Sequence, residues 1–325
     1  MAKSRKLEDT LSILTQIREN PIDEAALATL RQVIKSKYSV AIARAAKMVG
    51  ELAIASLIPD LVAAFERMMV KPAETDQGCL AKKEIAETLY RLEYSEENVF
   101  LQGIRHIQME PVWGGKEDTA AILRGICALG LVRMNYPDVM NELADLLADP
   151  KPEARVAAAK AIAYTANPQG VPLLRLKVRM GDKAPQVLSE CFTGLLQLAP
   201  VQSLPLIASF LITPEEQVCE LAALALGESR INDAFPILKS WWEQTNNVQL
   251  RRTGLLAIAM LRQDSALEFL ISLVEKGKST DAKDAIAALS IYRENNELWQ
   301  RVRQAAHHRG DESILQDIAI VHSRS

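Results

Sequence analysis

The chain is poor in aromatic residues: Phe, Trp and Tyr make up only 5% of its 325 positions. Stacking on bases therefore has few rings to work with. A charge bias is missing too. Lys and Arg number 38 against 41 Asp and Glu, for a net charge of −3, and nucleic acid is disfavoured as a partner because its general binders carry a clear basic excess. The only four cysteines, Cys79, Cys127, Cys191 and Cys219, lie far apart and form no C-x-x-C pair. They read as core thiols of a reducing cytoplasm, with no metal set among them. No stretch approaches the ~20 apolar residues that a membrane helix needs. Glu8 and Asp9 interrupt the opening MAKSRKLEDTLSIL before any signal-like run forms. A cytoplasmic protein without membrane association is expected. Strand-length alternation is also lacking, apart from RLKVR at 175–179 inside a helix-length segment.

What the sequence has in abundance is one returning pattern. In RVAAAKAIA, residues 155–163, Ile162 follows Ala161 directly and Ala158 by four positions. The Ile162 position is refilled by Val49, Leu89, Leu129, Leu195, Leu226, Ile258 and Leu289, always branched and apolar. Four residues earlier stand Ala45, Ile85, Gly125, Cys191, Ala222, Gly254 and Ala285, small in all but one. The successive spacings are 40, 40, 33, 33, 31, 32 and 31 residues. A period of that size marks stacked helix pairs, since a unit this short cannot bury its apolar face alone. The template helix is the second of each pair, as in 23–35 with 40–53 and 59–69 with 80–92. Pro59, Pro137, Pro172, Pro205 and Pro236 mark where the next first helix begins. Thr213 with Glu216 and Ser265 with Glu268 read as capping boxes. Leu7, Leu11, Leu14 and Ile17 predict an amphipathic helix before Asn20-Pro21.

The helix pairs resemble HEAT repeats, and the 31–33 residue period is similar to the short, phycobilisome-lyase-like class. The resemblance is carried best by LGESRINDAFPIL, residues 226–238, and by DPKPEAR, residues 149–155, entering the alanine run. It covers about residues 120–290 well and 21–118 more loosely. It implies an all-α fold, a right-handed α-α superhelix (a HEAT-like, armadillo-like solenoid) of about eight or nine helix pairs. A single solenoid over 1–325 is expected: a capping helix at 1–20, longer repeats over 21–118 with a loop at 108–118, regular repeats over 119–292, and a C-terminal cap at 293–325. The family's motif residues build the stack, so function belongs to positions that vary between copies.

Two columns of the second helices should face solvent and line the concave surface. They read Arg44/Lys47, Glu84/Glu87, Arg124/Cys127, Ala157/Lys160, Glu190/Thr193, Leu221/Leu224, Thr253/Leu256 and Asp284/Ala287. Leu221, Leu224 and Leu256 are large apolar residues on a face expected to be wet. Either they meet a helix or peptide of a partner, or neighbouring repeats cover them. The 108–118 loop, QMEPVWGGKED, is the sharpest departure from regular packing. Trp113 could serve there as an exposed anchor, with Arg105, His106, Glu110, Asp118 and Arg124 around it, or it could fold back over the third repeat.

Enzymatic signatures do not assemble. Gly114-Gly-Lys-Glu lacks the spacing and hydroxyl of a P-loop. His106 and Glu110 share a face only if a helix persists, and no third ligand follows, so neither a metal nor a cofactor is assigned. Residues 151–183 form the one locally basic stretch, and Arg155 is expected to pair between repeats, with Asp149 as its candidate partner. The leading expectation is a non-enzymatic scaffold or adaptor that binds another protein through its concave face and the 108–118 loop. The resemblance also implies an alternative, a bilin-lyase-like protein that binds or attaches a tetrapyrrole. A HEAT-type DNA glycosylase is a third reading, disfavoured by the charge and the few aromatics.

Overall fold

Each return of the template is one helix of a packed pair in the computed structural model, which describes residues 2–19 and 23–323. The fold is all-α, with twenty α-helices and a single two-stranded hairpin among the described residues. By internal contacts the chain divides into two compact units, residues 1–165 and 166–325.

In the first unit, α1 (Ala2–Glu19) is followed by the pair α2 (Glu24–Ile34) and α3 (Ser39–Glu51). Next come α4 (Ile58–Met69), the single turn α5 (Pro72–Thr75) and α6 (Leu80–Arg91). Then α7 (Glu97–Ile104), the strands β1 (Met109–Val112) and β2 (Gly115–Asp118), and α8 (Ala121–Arg133) complete the third pair. The pair α9 (Val139–Leu147) and α10 (Pro152–Tyr164) closes the unit. The second helices stack in series, α3 on α6, α6 on α8 and α8 on α10. In α1, Leu14 is buried while Leu11 and Ile17 are half-buried. The side chain of Leu7 and the Asn20-Pro21 stop lie outside the described residues.

The second unit repeats the scheme with α11 (Gly170–Met180) and α12 (Pro185–Leu198), then α13 (Pro200–Ala208) and α14 (Glu216–Ser229). It continues with α15 (Ala234–Gln244) and α16 (Val248–Met260), then α17 (Asp264–Lys276) and α18 (Ser279–Leu289). The last pair is α19 (Asn296–Arg309) with α20 (Glu312–Ser323). Here α12, α14, α16, α18 and α20 stack in order. Nine helix pairs are thus present among the described residues.

The small positions are small because second helices approach closely: a Cβ on Gly125 would lie 2.6 Å from the Ala157 Cβ on the next second helix, and the glycine directly after Leu226 meets backbone. A Cβ on Gly227 would lie 2.8 Å from Cα of Ala257 on the next second helix, and closer still to its carbonyl oxygen. Of the branched positions, Val49, Leu89, Ile162, Leu195, Leu226, Ile258 and Leu289 are fully buried between layers, whereas Leu129 is only half-buried and Leu131, two residues on, is a buried leucine of α8. Removing apolar area from water in every layer is what stabilises such a stack.

Some local readings need correction. Pro205 lies inside α13, which begins five residues earlier at Pro200. Thr213 does not cap α14; its hydroxyl donates to the Phe210 carbonyl at 3.2 Å. Ser265 sits within α17, which starts at Asp264 after Gln263. Asp23, Asn247 and Asn295 are among the side chains that do cap, each accepting N–H bonds from the first helical turn.

Candidate functional site

The two 40-residue spacings fall on consecutive repeats, and each holds an insertion into an otherwise regular helix pair. The first insertion spans residues 70–79, between α4 and α6. Lys71 turns the chain with φ +49°, and the Thr75 hydroxyl closes the turn onto the Met68 and Val70 carbonyls, both at 3.2 Å. Gly78 and Cys79 follow with φ of +72° and +53°. These left-handed residues swing Asp76 under the start of α6. Its carboxylate accepts the N–H groups of Ala81 at 2.8 Å and Lys82 at 3.0 Å. These are orphan donors of the first helical turn, which a carboxylate satisfies well. Lys82 then folds back, its Nζ 3.1 Å from Asp76 Oδ2, with both side chains fully buried.

The second insertion follows α7. The segment read as a loop is an antiparallel hairpin, with Met109 opposite Asp118 and Val112 opposite Gly115. Its connection is the dipeptide Trp113-Gly114, and Gly114 carries φ +90°. That conformation suits the third position of a type II turn and favours glycine there. Helix α7 ends at Ile104, so His106 and Glu110 do not share a helix face.

The insertions interlock through side chains. Gln108, only 1% exposed, donates from Nε2 to the Asp76 carbonyl at 2.8 Å and also to Glu110. Glu110 Oε1 accepts the Gly78 N–H at 2.7 Å and the Thr119 hydroxyl at 3.0 Å. Burial pushes the Glu110 carboxyl up, but these donors and the Lys82 ammonium outweigh it and hold it below the usual carboxylate range. Asp118 accepts the N–H groups of Gln108 and Ala120, each at 3.0 Å, which ties the hairpin base to the start of α8. Its other oxygen lies 2.7 Å from Arg124 Nη2. Arg124 also grips both oxygens of Asp149, at 2.8 and 2.9 Å, and the His106 carbonyl at 2.9 Å. Asp118 is depressed in the same way, with its burial overcome by Arg124 and the two N–H donors. Burial lowers the His106 imidazole, and Lys82 and Arg124 reinforce that, against a hydrogen-bond contact with Gln108.

These placements revise several expectations. Arg124 and Cys127 are buried, not solvent-facing: Asp118 at the hairpin base and the His106 carbonyl cover Arg124, and the Cys127 side chain packs against Gly103 of α7. Glu110 and Asp118 point inward and are taken up by internal donors. Arg155 caps the carbonyls of Asp149 and Pro150, at 2.8 and 3.0 Å, while the Asp149 carboxylate holds Arg124. Lys151 bridges to Glu117 of β2 at 3.1 Å and Lys177 to Asp182 at 2.8 Å, which spends part of the local basic excess. Arg44 and Lys47 are exposed on α3 beside a cleft floored by Leu14 and Met48. Leu221, Leu224 and Leu256 are half-buried, so the neighbouring repeats cover them only in part.

Trp113 stands apart from this network. Its side chain is fully exposed, 103% of the reference area, and does not fold back over the third repeat. Ile107, Met109 and Val112 on the same insertion are also exposed, as is Leu80 beside the first insertion. Chemically, the assembly is a rigid mount carrying an apolar tip. Its carboxylates are occupied by donors, and burial pushes the Cys79 thiol up to about 12, which keeps it protonated. Among the described residues no group of three or more His, Cys, Asp or Glu is placed to hold a metal ion.

Asp76, Lys82 and Gln108 were not singled out from the sequence. The signal was available in the first 40-residue spacing, which announces extra chain just as the second does.

No family model and no curated protein matches this chain. Solved structures with a similar course include the CpcE–CpcF complex of phycocyanin lyase from Nostoc sp. PCC7120, 17% identical over 70% of this chain and 89% of that one, with a TM-score of 0.38. An engineered protein is 15% identical over 94% and 90%, with a TM-score of 0.38. Human deoxyhypusine hydroxylase in complex with glycerol is 14% identical over 88% and 99%, with a TM-score of 0.32. No helix among the described residues is long and apolar enough to cross a membrane.

Proposed function

We propose that this chain is a non-enzymatic HEAT-like scaffold that binds another protein, with Trp113 at the hairpin tip as its principal anchor. The observation that carries this reading is a fully exposed tryptophan on a hairpin whose base is fixed by buried hydrogen bonds and ion pairs. Holding a large apolar side chain in water stabilises nothing in the free chain, whereas its burial in a partner's pocket would remove about 150–250 Å² from water. A fixed mount also lowers the ordering cost of binding. The half-buried Leu221, Leu224 and Leu256 on α14 and α16 form a second surface, suited to the apolar face of a helix or peptide. Arg44 and Lys47 would add charge contacts at the rim.

The test places a photo-crosslinking amino acid at position 113, and separately at 224, in the full chain expressed in its own cells. A discrete adduct with one protein at 113, competed away by excess wild type and not by Trp113→Ala, is the expected result. Failure to form any competable adduct at 113 would remove the anchor reading. Loss of the same partner in Leu221→Asp/Leu224→Asp would add the second surface, and its retention would limit binding to the hairpin.

A further inference from the structure

We infer that the outer face of α11 and α13 rests on an anionic phospholipid surface, its aliphatic side chains entering the interface and its arginines holding headgroup phosphates. This face is separate from the hairpin and does not depend on Trp113 binding a partner.

In α11 the exposed positions are Pro172, Arg175, Leu176, Arg179 and Met180, three and four apart along one side of the helix. The opposite side is spent on packing, with Leu174 and Val178 buried. Helix α13 and the 3₁₀ turn Ser209–Ile212 behind it expose Val201, Gln202, Pro205 and Ile212. The two helices adjoin at their starts, where Pro172 and Val201 line one cleft. Leu176, Met180, Val201 and Ile212 are between 59% and 83% exposed. They are four of the six exposed large apolar side chains among the described residues of the second unit, Val248 and Ile291 being the others. The next first helices, α15 and α17, show none and expose Glu243, Asp264 and Glu268 instead. The patch therefore belongs to these two helices and is not a consequence of the repeat.

Charge names the occupant. Arg175 and Arg179 alternate with Leu176 and Met180 along the stripe, and Lys183 follows just past the helix end. None of these three cations has an ion-pair partner among the described residues. Between residues 166 and 214 the only acids are Asp182, held by Lys177 at 2.8 Å, and Glu190 on the second helix α12. Glu215 and Glu216, at the start of α14, mark where the patch stops. Free cations beside exposed aliphatic chains are what an anionic bilayer selects, since phosphates draw the guanidinium forks while the interface takes up the apolar groups. The long arginine stems keep their charge at headgroup level as their neighbours enter. An acidic protein would meet the same charges, but protein hot spots are built largely on Trp and Tyr seated in pockets, and residues 166–214 expose no aromatic ring. A bilayer asks for apolar area and positive charge without a matching shape. Such a contact lies in the interface and needs no spanning helix, so it departs from the expectation drawn from the lack of a long apolar run.

Flotation of the full chain with vesicles is the test, using pure phosphatidylcholine beside vesicles carrying roughly one-third phosphatidylserine. Wild type should float with the anionic vesicles and not with the neutral ones, and added salt should weaken its retention. Arg175→Gln/Arg179→Gln should lower the partition constant about twenty- to thirtyfold, the effect of two surface charges. Leu176→Ser/Met180→Ser should lower it about tenfold or more. Arg44→Gln/Lys47→Gln, which removes two exposed cations of the first unit, and Trp113→Ala should each float like wild type. All the altered side chains are exposed, so circular dichroism should show wild-type helix content. A wild type that does not float with anionic vesicles overturns the inference. So does an equal loss in Arg44→Gln/Lys47→Gln, which would make the attraction diffuse, or full retention of Leu176→Ser/Met180→Ser, which would mean that no apolar group enters. Loss in Trp113→Ala would move the contact to the hairpin. A wild type that ignores vesicles yet crosslinks from position 176 to an acidic protein would give this face to a protein instead. None of these failures touches the crosslink from position 113, which reports on the other surface.

Discussion

Replacing Lys82 by Met tests whether the buried pair is what sets the mount. The substitution keeps most of the apolar stem and removes only the ammonium. Asp76 would retain its two N–H donors from Ala81 and Lys82, at 2.8 and 3.0 Å, but would lose the counter-ion 3.1 Å away in a place fully closed to water. Breaking one partner out of such a pair costs about 3–5 kcal/mol, because the remaining charge has no water to turn to. In Lys82→Met/Asp76→Asn both charges go while one acceptor stays for the helix start, and most of that loss should return. The double-mutant cycle should therefore show a coupling of at least about 2 kcal/mol. Urea denaturation gives the stability, and hydrogen exchange locates the effect. The Gly78 N–H, bonded to Glu110, and the Thr119 N–H, bonded to the Gln108 carbonyl, report on the two insertions. Their protection should fall about a hundredfold or more in Lys82→Met. A loss under about 1 kcal/mol, or unchanged exchange at both amides, would show that the pair is incidental and that hydrogen bonds alone hold the hairpin.

Further predictions follow from single contacts. Gly227→Ala should destabilise the second unit by about 1–2 kcal/mol, overpacking against Ala257 being offset in part by better helix propensity, whereas Gly115→Ala, which meets nothing within 4 Å, should be near neutral; thermal melts of both would show it. Trp113→Ala should leave the urea midpoint unchanged within about 0.5 kcal/mol, since the side chain touches water only, so a large drop would mean it packs after all. Glu110 and Asp118 are both held below the ordinary carboxylate range, so their stabilisation is complete above about pH 4–5 and is lost as the pH falls through the folded values. Amide exchange at Gly78 should thus rise steeply only on the acid side of that range, and Glu110→Gln should flatten the dependence while costing about 1–3 kcal/mol at neutral pH.

What could be read from the residues alone divides along a physical line. The stack was legible because its demand is periodic. A helix layer repeated every 31–33 residues needs Ala, Gly or Cys at the close approach and Leu, Ile or Val one turn on, and Gly125, four residues before Leu129, where a Cβ would lie 2.6 Å from that of Ala157 on the next second helix, is that demand in atoms. The hairpin was not legible as a hairpin. Its strands are four residues each, its apolar residues do not alternate, and its inward side chain is Glu110, a residue that any composition-based reading sends to water. The same holds for Arg124, which helical phase places on the wet face and which three carbonyl and carboxylate partners draw under the hairpin base instead. Such residues are set by partners 18 to 32 positions away in the chain, as the Arg124 contacts with His106 and Asp149 and the Gly78 contact with Glu110 illustrate, and no local pattern announces them. Spacing does announce them indirectly. Two adjacent repeats each too long by about the same amount are expected to answer one another, because extra chain that could not satisfy its own N–H and carbonyl groups in a helix must satisfy them somewhere. In this chain it does so across the two insertions, and the residue left over from that accounting, with nothing of its own to bond or bury, is Trp113.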